Sequence, residues 1–147
     1  MSLTLHEHPF AAYCWKALIA IAERDLAVER RFVGDEADRA ALAELWPPAS
    51  IPLLVDGDLV VPESTAIVEH LDGHGDAPPL VPAERAAALQ ARIWDRVIDG
   101  QVMTPMQKVV LDSLRPEDAR DTHGVAEARA TLDGAYALLD DQLADRR

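Results

Sequence analysis

The stretch that decides the fold spans residues 50–71 and reads SIPLLVDGDLVVPESTAIVEHL. Two short apolar runs flank an Asp56-Gly57 pair, which is typical of the tight turn of a β-hairpin. Pro62 ends the second run, and Ser64 is a residue type that favours the N-cap of a helix. The stretch therefore predicts strand, turn, strand and helix, in that order.

The residues before this stretch show a strand pattern, a helix pattern and a second strand pattern. Residues 3–6 alternate apolar and polar side chains, and residues 28–33 are β-branched or aromatic at their ends, as in strands. Between them, from residue 11 or 12 to residue 24, the chain is rich in alanine and other apolar helix formers. This order predicts a parallel β-α-β unit, and residues 38–45 predict a second, shorter helix.

The second half of the chain changes to a helical period. Residues 83–111 are helix formers, with Gly100 and Pro105 predicting a kink. From residue 125 an apolar seam recurs every three or four positions, as in a helix packed against another helix. Its members are Val125, Ala128, Leu132, Ala135, Leu139 and Leu143. We predict an α/β domain with the order β-α-β-α-β-β-α at residues 1–73, a linker at 74–82 and an all-α domain at 83–147.

Composition excludes several function classes. The 147 residues carry 14 Lys and Arg against 26 Asp and Glu, a formal charge of -12, which disfavours nucleic acid and anionic membranes as partners. A single cysteine, Cys14, excludes an internal disulfide. Together with the lack of a signal-peptide pattern, this predicts a cytoplasmic protein.

The proline that opens the third strand and the Glu63-Ser64 pair before the next helix resemble the glutathione S-transferase family. The resemblance implies a thioredoxin-like N-terminal domain followed by a helical C-terminal domain. It also implies a cis peptide bond between Ile51 and Pro52, with the backbone of Ile51 pairing with the cysteinyl part of glutathione. Glu63 and Ser64 would bind the γ-glutamyl end, the acid pairing with the ammonium and the hydroxyl holding the carboxylate.

Two departures from the family pattern stand out. Ala49 and Ser50 occupy places where family members commonly carry a glycine and a lysine or glutamine, so one side-chain contact to glutathione is not expected. The sequence given also ends at Arg147, whereas the family continues through further helices. We therefore expect either a truncated helical domain or a reduced one whose exposed seam needs a partner.

A glutathione transferase must stabilise the thiolate of its ligand, and the resemblance implies that the donor lies within residues 9–16. The usual serine or cysteine position falls on Ala11 or Ala12, which have no donor side chain. Tyr13 and Cys14 are the candidate catalytic residues. For Tyr13 the alternative is a packing role, and for Cys14 it is a small buried core residue.

No metal site is predicted. His6 and His8 are two residues apart on an extended segment and can share a face, but no third ligand stands at a suggestive spacing. His70 and His74 flank the linker, and nothing in their spacing marks them more strongly as metal ligands.

Glutathione is therefore expected as the co-substrate, conjugated to a small electrophile. Trp94, Met103 and Met106 are candidates for the apolar wall of the electrophile pocket, with core or dimer packing as the alternative. A non-catalytic glutathione-binding or interaction module is the main rival function, and a monothiol reductase acting through Cys14 is a third. A homodimer is expected, as is usual in the family.

Overall fold

The computed structural model describes residues 2–144. The chain divides into two compact units, Met1–Ala88 and Leu89–Arg147, which are described separately below. The outer ends of the two predicted domains, at residue 1 and residues 145–147, lie outside the described residues. Within the described residues, no helix has the length and apolar character needed to cross a membrane.

The first unit is built on a mixed sheet. Its four strands are β1 (Leu3–Glu7), β2 (Val28–Phe32), β3 (Leu53–Asp56) and β4 (Leu59–Pro62). Their order across the sheet is β2-β1-β3-β4, and all five residues of the inner strand β1 are buried. The pairing of β1 with β2 is parallel, and β3 and β4 form an antiparallel hairpin at the Asp56-Gly57 turn. Both predicted arrangements are confirmed.

Three helices complete this unit: α1 (Ala12–Glu23), α2 (Glu36–Leu45) and α3 (Ser64–Leu71). Two predicted starts were wrong by one or two residues. α2 begins before residue 38 because the Asp35 and Asp38 side chains each accept the other's backbone N–H, forming a capping box. In α3 the N-cap is Glu63, and Ser64 is the first helical residue.

Apolar side chains from the helices and the sheet form the core of this thioredoxin-like unit. Leu5 and Leu54 of the sheet and Ile67 of α3 are fully buried in its largest cluster. Each such side chain stabilises the fold by about 1.5–3 kcal/mol relative to an exposed one. The rest of the cluster consists of Leu3, Ala17, Ala20, Val61 and Leu71. Leu42 of α2 packs with Val33 and Leu53 in a second cluster.

The predicted linker is held against the first unit by one buried arginine. Arg24, the residue after α1, has a side chain that is only 2% exposed. Its guanidinium donates hydrogen bonds to the backbone carbonyls of Asp72, His74, Ala77 and Pro78. These bonds fix the path of the chain after α3, since each carbonyl has a charged donor.

The second unit is all helical. Its elements are α4 (Arg85–Ile98, which begins in the first unit), a π-helical segment (Asp99–Met103), α5 (Thr104–Ser113), a 3-10 turn (Glu117–Ala119) and α6 (Thr122–Leu143). The π-helical segment and Pro105 mark the predicted interruption. α6 packs on α5, and Ala128 and Ala135 are the buried residues of its seam. Asp121 caps α6 by accepting the Gly124 N–H at 2.8 Å.

Candidate functional site

The strand register brings three segments of the first unit to one end of the sheet. In the hairpin, Leu53 pairs with Pro62, so the residues just before β3 and just after β4 lie together. In the other ladder, His6 pairs with Leu53, so the end of β1 and the loop that follows reach the same edge. The resulting site combines the start of α1, the segment before β3 and the start of α3.

Ile51 and Pro52 form the central segment of this site. The peptide bond between them is cis, as the family resemblance implies. Pro52 is buried, and Ile51 packs against the cluster around Leu42 and Leu53. The side chain of Ile51 is therefore used for packing, and its backbone lies two residues before Leu53, the first paired residue of β3.

Glu63 and Ser64 stand at the start of α3. Glu63 has φ 68° and ψ 124°, a positive-φ conformation that residues with a Cβ rarely adopt. Its side chain is exposed, whereas Ser64 is 5% exposed. The Glu63 side chain makes no cap hydrogen bond to the first turn of α3. The first backbone N–H groups of a helix have no partner within the helix, and those of α3 lie at this end of the sheet.

The start of α1 lacks a side-chain donor at its first two positions. Ala11 is the N-cap and makes no side-chain cap bond, and Ala12 is the first helical residue. Tyr13 follows in the first turn and is half-buried. The Ala11 carbonyl accepts the Cys14 N–H at 2.9 Å, which closes this turn. Tyr13 is the residue of this turn that carries a hydroxyl group.

Cys14 points into the core. Its side chain is fully buried, and burial raises the pKa of the Cys14 thiol, an effect that a backbone hydrogen bond from His8 opposes and the Glu7 carboxylate reinforces. The thiol therefore stays protonated near neutral pH. This environment favours a packing role over a nucleophilic one.

Lys16 is a site residue that sequence reasoning did not single out. Its ammonium donates a hydrogen bond to the Thr65 hydroxyl at 3.1 Å, across the contact between α1 and α3. Thr65 follows Ser64 directly, so a positive charge lies beside the first turn of α3. Only the packing of the two helices, which are 49 residues apart in sequence, reveals this charge.

His6 and His8 have different surroundings in the first unit. Burial lowers the pKa of His6, with a further lowering by the charge of Arg31 and an opposing effect of Glu29. The ring of His8 packs against the rings of Phe10 and Phe32.

The three residues predicted to line an electrophile pocket all lie in the second unit and are half-buried. Trp94 lines an apolar groove of about 230 Å³ together with Ile98, Leu139 and Leu143. Met103 ends the π-helical segment, and Met106 lies in the first turn of α5. Neither methionine lines that groove.

Known proteins resemble this chain in sequence and in structure. A stringent starvation protein A homolog of Coxiella burnetii is 36% identical over 91 residues, which cover 62% of this chain and 44% of that protein. A probable maleylacetoacetate isomerase of Vibrio cholerae is 34% identical over 97 residues, covering 63% and 45%. This chain thus spans less than half the length of these curated relatives.

Among solved structures, a glutathione S-transferase of Methylobacillus flagellatus with glutathione bound matches with a TM-score of 0.89 at 25% identity, over 98% of this chain and 71% of that one. A glutathione S-transferase of Methylobacterium radiotolerans in complex with glutathione sulfonate gives a TM-score of 0.82 at 27% identity, covering 99% and 69%. Residues 5–79, more than half of this chain, match the family model for the glutathione S-transferase N-terminal domain. The chain therefore belongs to the glutathione S-transferase family.

Proposed function

We propose that this protein binds glutathione at the edge of the sheet formed by Ile51, Pro52, Glu63 and Ser64, and conjugates it to a small electrophile. The observation that carries the proposal is the register of β3 and β4, which places both segments at one end of the hairpin. An extended peptide there can pair with the backbone of Ile51 while its far end meets the start of α3.

The charges at the start of α3 suit the γ-glutamyl end of the tripeptide. The N–H groups of the first turn of α3 and the Ser64 hydroxyl offer donors for its carboxylate, and the Lys16 ammonium adds a positive charge nearby. The exposed carboxylate of Glu63 can pair with its ammonium. Two similar solved structures, described above, hold glutathione or glutathione sulfonate.

Glu63→Gly is expected to stabilise the protein while weakening glutathione binding. Glycine adopts a positive φ without strain, so the free energy of unfolding should rise by about 1 kcal/mol. Loss of the carboxylate should weaken binding by about 10-fold. Urea denaturation and titration calorimetry measure the two effects.

Glu69→Gly is the matched control, because Glu69 lies in the helical part of the same α3. It should lower the free energy of unfolding by about 1 kcal/mol. If Glu63→Gly also lowered the free energy of unfolding, the positive φ of Glu63 would not be a source of backbone strain.

For the sulfur chemistry, we propose that the Tyr13 hydroxyl or a backbone N–H of the first turn of α1 stabilises the glutathione thiolate. The burial and raised pKa of Cys14 oppose a monothiol cycle. The missing donor at Ala11 favours the rival function, a non-catalytic glutathione-binding module.

Conjugation of a chromogenic aryl halide separates these functions. Tyr13→Phe is expected to lower kcat/KM by about 100-fold, the usual loss when one transition-state donor is removed. Tyr136→Phe, on the exposed side of α6, should leave kcat/KM unchanged. A wild-type rate equal to the uncatalysed background, with glutathione still bound, would establish the binding module. A disulfide reductase activity that Cys14→Ala abolishes would establish the monothiol reductase.

We also propose that the protein is a cytoplasmic homodimer. Large exposed apolar side chains on α4 and α5, among them Leu89, Ile93 and Leu111, support a buried interface. Light scattering coupled to size exclusion should give twice the chain mass of 16.1 kDa.

A further inference from the structure

Three side chains from two different elements and the segment that follows meet at one point of the first unit. The Asp56 Oδ2 atom lies 3.0 Å from His70 Nε2 and 3.1 Å from His74 Nε2. Among residues 2–144, these three form the only group of three or more His, Cys, Asp or Glu whose ligand atoms all lie within 4.8 Å of one another. The side chains are 12%, 23% and 30% exposed for Asp56, His70 and His74, so a small ion can reach them.

A backbone contact settles the tautomer of His74. Its Nδ1 atom lies 3.1 Å from the carbonyl oxygen of His70, which can only accept a hydrogen bond. Nδ1 therefore carries a proton, and in the neutral ring the lone pair of Nε2 points at the Asp56 carboxylate. Nε2 is thus the nitrogen that donates to this carboxylate when the ring is protonated and that can bind a metal ion when the ring is neutral. A histidine oriented through its other ring nitrogen in this way is typical of metal ligands.

The backbone around the cluster is fixed by contacts that do not involve it. Asp56 is the last residue of β3 and pairs with Leu3 and Leu59. His70 lies in the last turn of α3. The carbonyl of His74 accepts hydrogen bonds from the buried Arg24 guanidinium. The three ligands are thus positioned before any ion binds, which lowers the entropy cost of binding.

We propose that Asp56, His70 and His74 bind a divalent transition-metal ion of the Zn²⁺ class. Two imidazole nitrogens and one carboxylate oxygen suit ions of intermediate softness. In tetrahedral zinc sites, bonds of about 2.0–2.2 Å place neighbouring ligand atoms about 3.3–3.5 Å apart. The two nitrogen–oxygen distances therefore need to open by only a few tenths of an ångström. Water would fill the fourth position.

This site is separate from the proposed glutathione site. Asp56 lies at the opposite end of β3 from Pro52, so the two sites occupy opposite ends of the sheet. Metal binding and glutathione binding can therefore be tested independently.

The test is titration of the 147-residue chain with Zn²⁺ by calorimetry and with Co²⁺ by visible absorption, in a buffer that does not chelate metals. One ion per chain is expected, with the intense Co²⁺ bands of a four-coordinate site. His74→Gln and Asp56→Asn should each weaken binding by at least about 10-fold, the smallest loss seen when a supporting contact of a metal site is removed. Asp56→Asn keeps the shape of the side chain, and circular dichroism verifies that both variants are folded.

His123→Ala is the matched control. His123 is 86% exposed, with its Nε2 atom 3.5 Å from a carboxylate oxygen of Glu127, so it represents an ordinary surface His-carboxylate pair. It should leave Zn²⁺ and Co²⁺ binding unchanged. Failure of the wild-type protein to bind one ion per chain, or equal binding by the folded His74→Gln variant, would overturn the metal site. The cluster would then have a structural role, as hydrogen bonds that join the β3–β4 turn to the end of α3.

Discussion

Arg24→Met is expected to lower the free energy of unfolding by about 3–5 kcal/mol, the range for removing one partner of a buried ion pair. Arg24 lies 3.5 Å from the Asp72 carboxylate and donates hydrogen bonds to four backbone carbonyls of the segment after α3. Methionine fills much of the same volume but donates no hydrogen bond, so these acceptors lose their partners. Urea denaturation followed by tryptophan fluorescence measures the loss.

Arg31→Met provides the comparison. The Arg31 side chain is 57% exposed and pairs with Glu29 at 2.9 Å on the surface of β2. Exposed pairs of this kind contribute little, so the change should stay within about 0.5 kcal/mol. Similar losses for Arg24→Met and Arg31→Met would show that the buried guanidinium does not hold the linker. If the Arg24→Met variant is also cleaved faster by proteases within residues 73–82, the loss of stability arises in the segment that Arg24 holds.

Ser64→Ala is expected to weaken glutathione binding by about 10- to 100-fold. The Ser64 hydroxyl is proposed to donate to the γ-glutamyl carboxylate, and hydrogen bonds to charged groups contribute about 1.5–3 kcal/mol. Because Ser64 is the first helical residue of α3 and Glu63 is the N-cap, the substitution should leave the helix intact. Binding to immobilised glutathione, with elution by free ligand, and calorimetry both report the loss.

Ser113→Ala is the control for this substitution. Ser113 is an exposed serine at the end of α5, and its hydroxyl donates to the Val110 carbonyl at 2.6 Å. Binding by this variant should equal that of the wild type. Unchanged affinity in Ser64→Ala would remove Ser64 from the site and leave the Lys16 ammonium and the backbone N–H groups as the anion-binding elements.

Local patterns were enough to predict most of the fold. The Asp56-Gly57 turn, the alternation of β1 and the alanine-rich run of α1 each act over a few residues, and the structure confirms all three elements. The β-α-β order then fixed the parallel pairing, because a crossover helix leaves little alternative. The helices of the second half were predicted in the same way, from apolar residues that recur every three or four positions.

The features that sequence reasoning missed depend on contacts between distant residues. The shift of the N-cap from Ser64 to Glu63 requires a positive φ at a residue with a Cβ, which no local preference predicts. Lys16 reaches α3 only because two helices pack together. The cluster at Asp56, His70 and His74 likewise joins a hairpin turn to a helix end. The sequence alone does not show which charged or imidazole side chains the fold brings into contact.

The sheet order has a consequence for solubility during folding. β2 and β4 are the two outer strands, and open strand edges invite pairing with other chains. β2 carries the charged run Glu29, Arg30 and Arg31, all exposed, so an added strand would have to desolvate three charges. β4 ends in Pro62, which has no backbone N–H to offer a new neighbour. Both margins of the sheet are thus protected against edge-to-edge aggregation by their own residues.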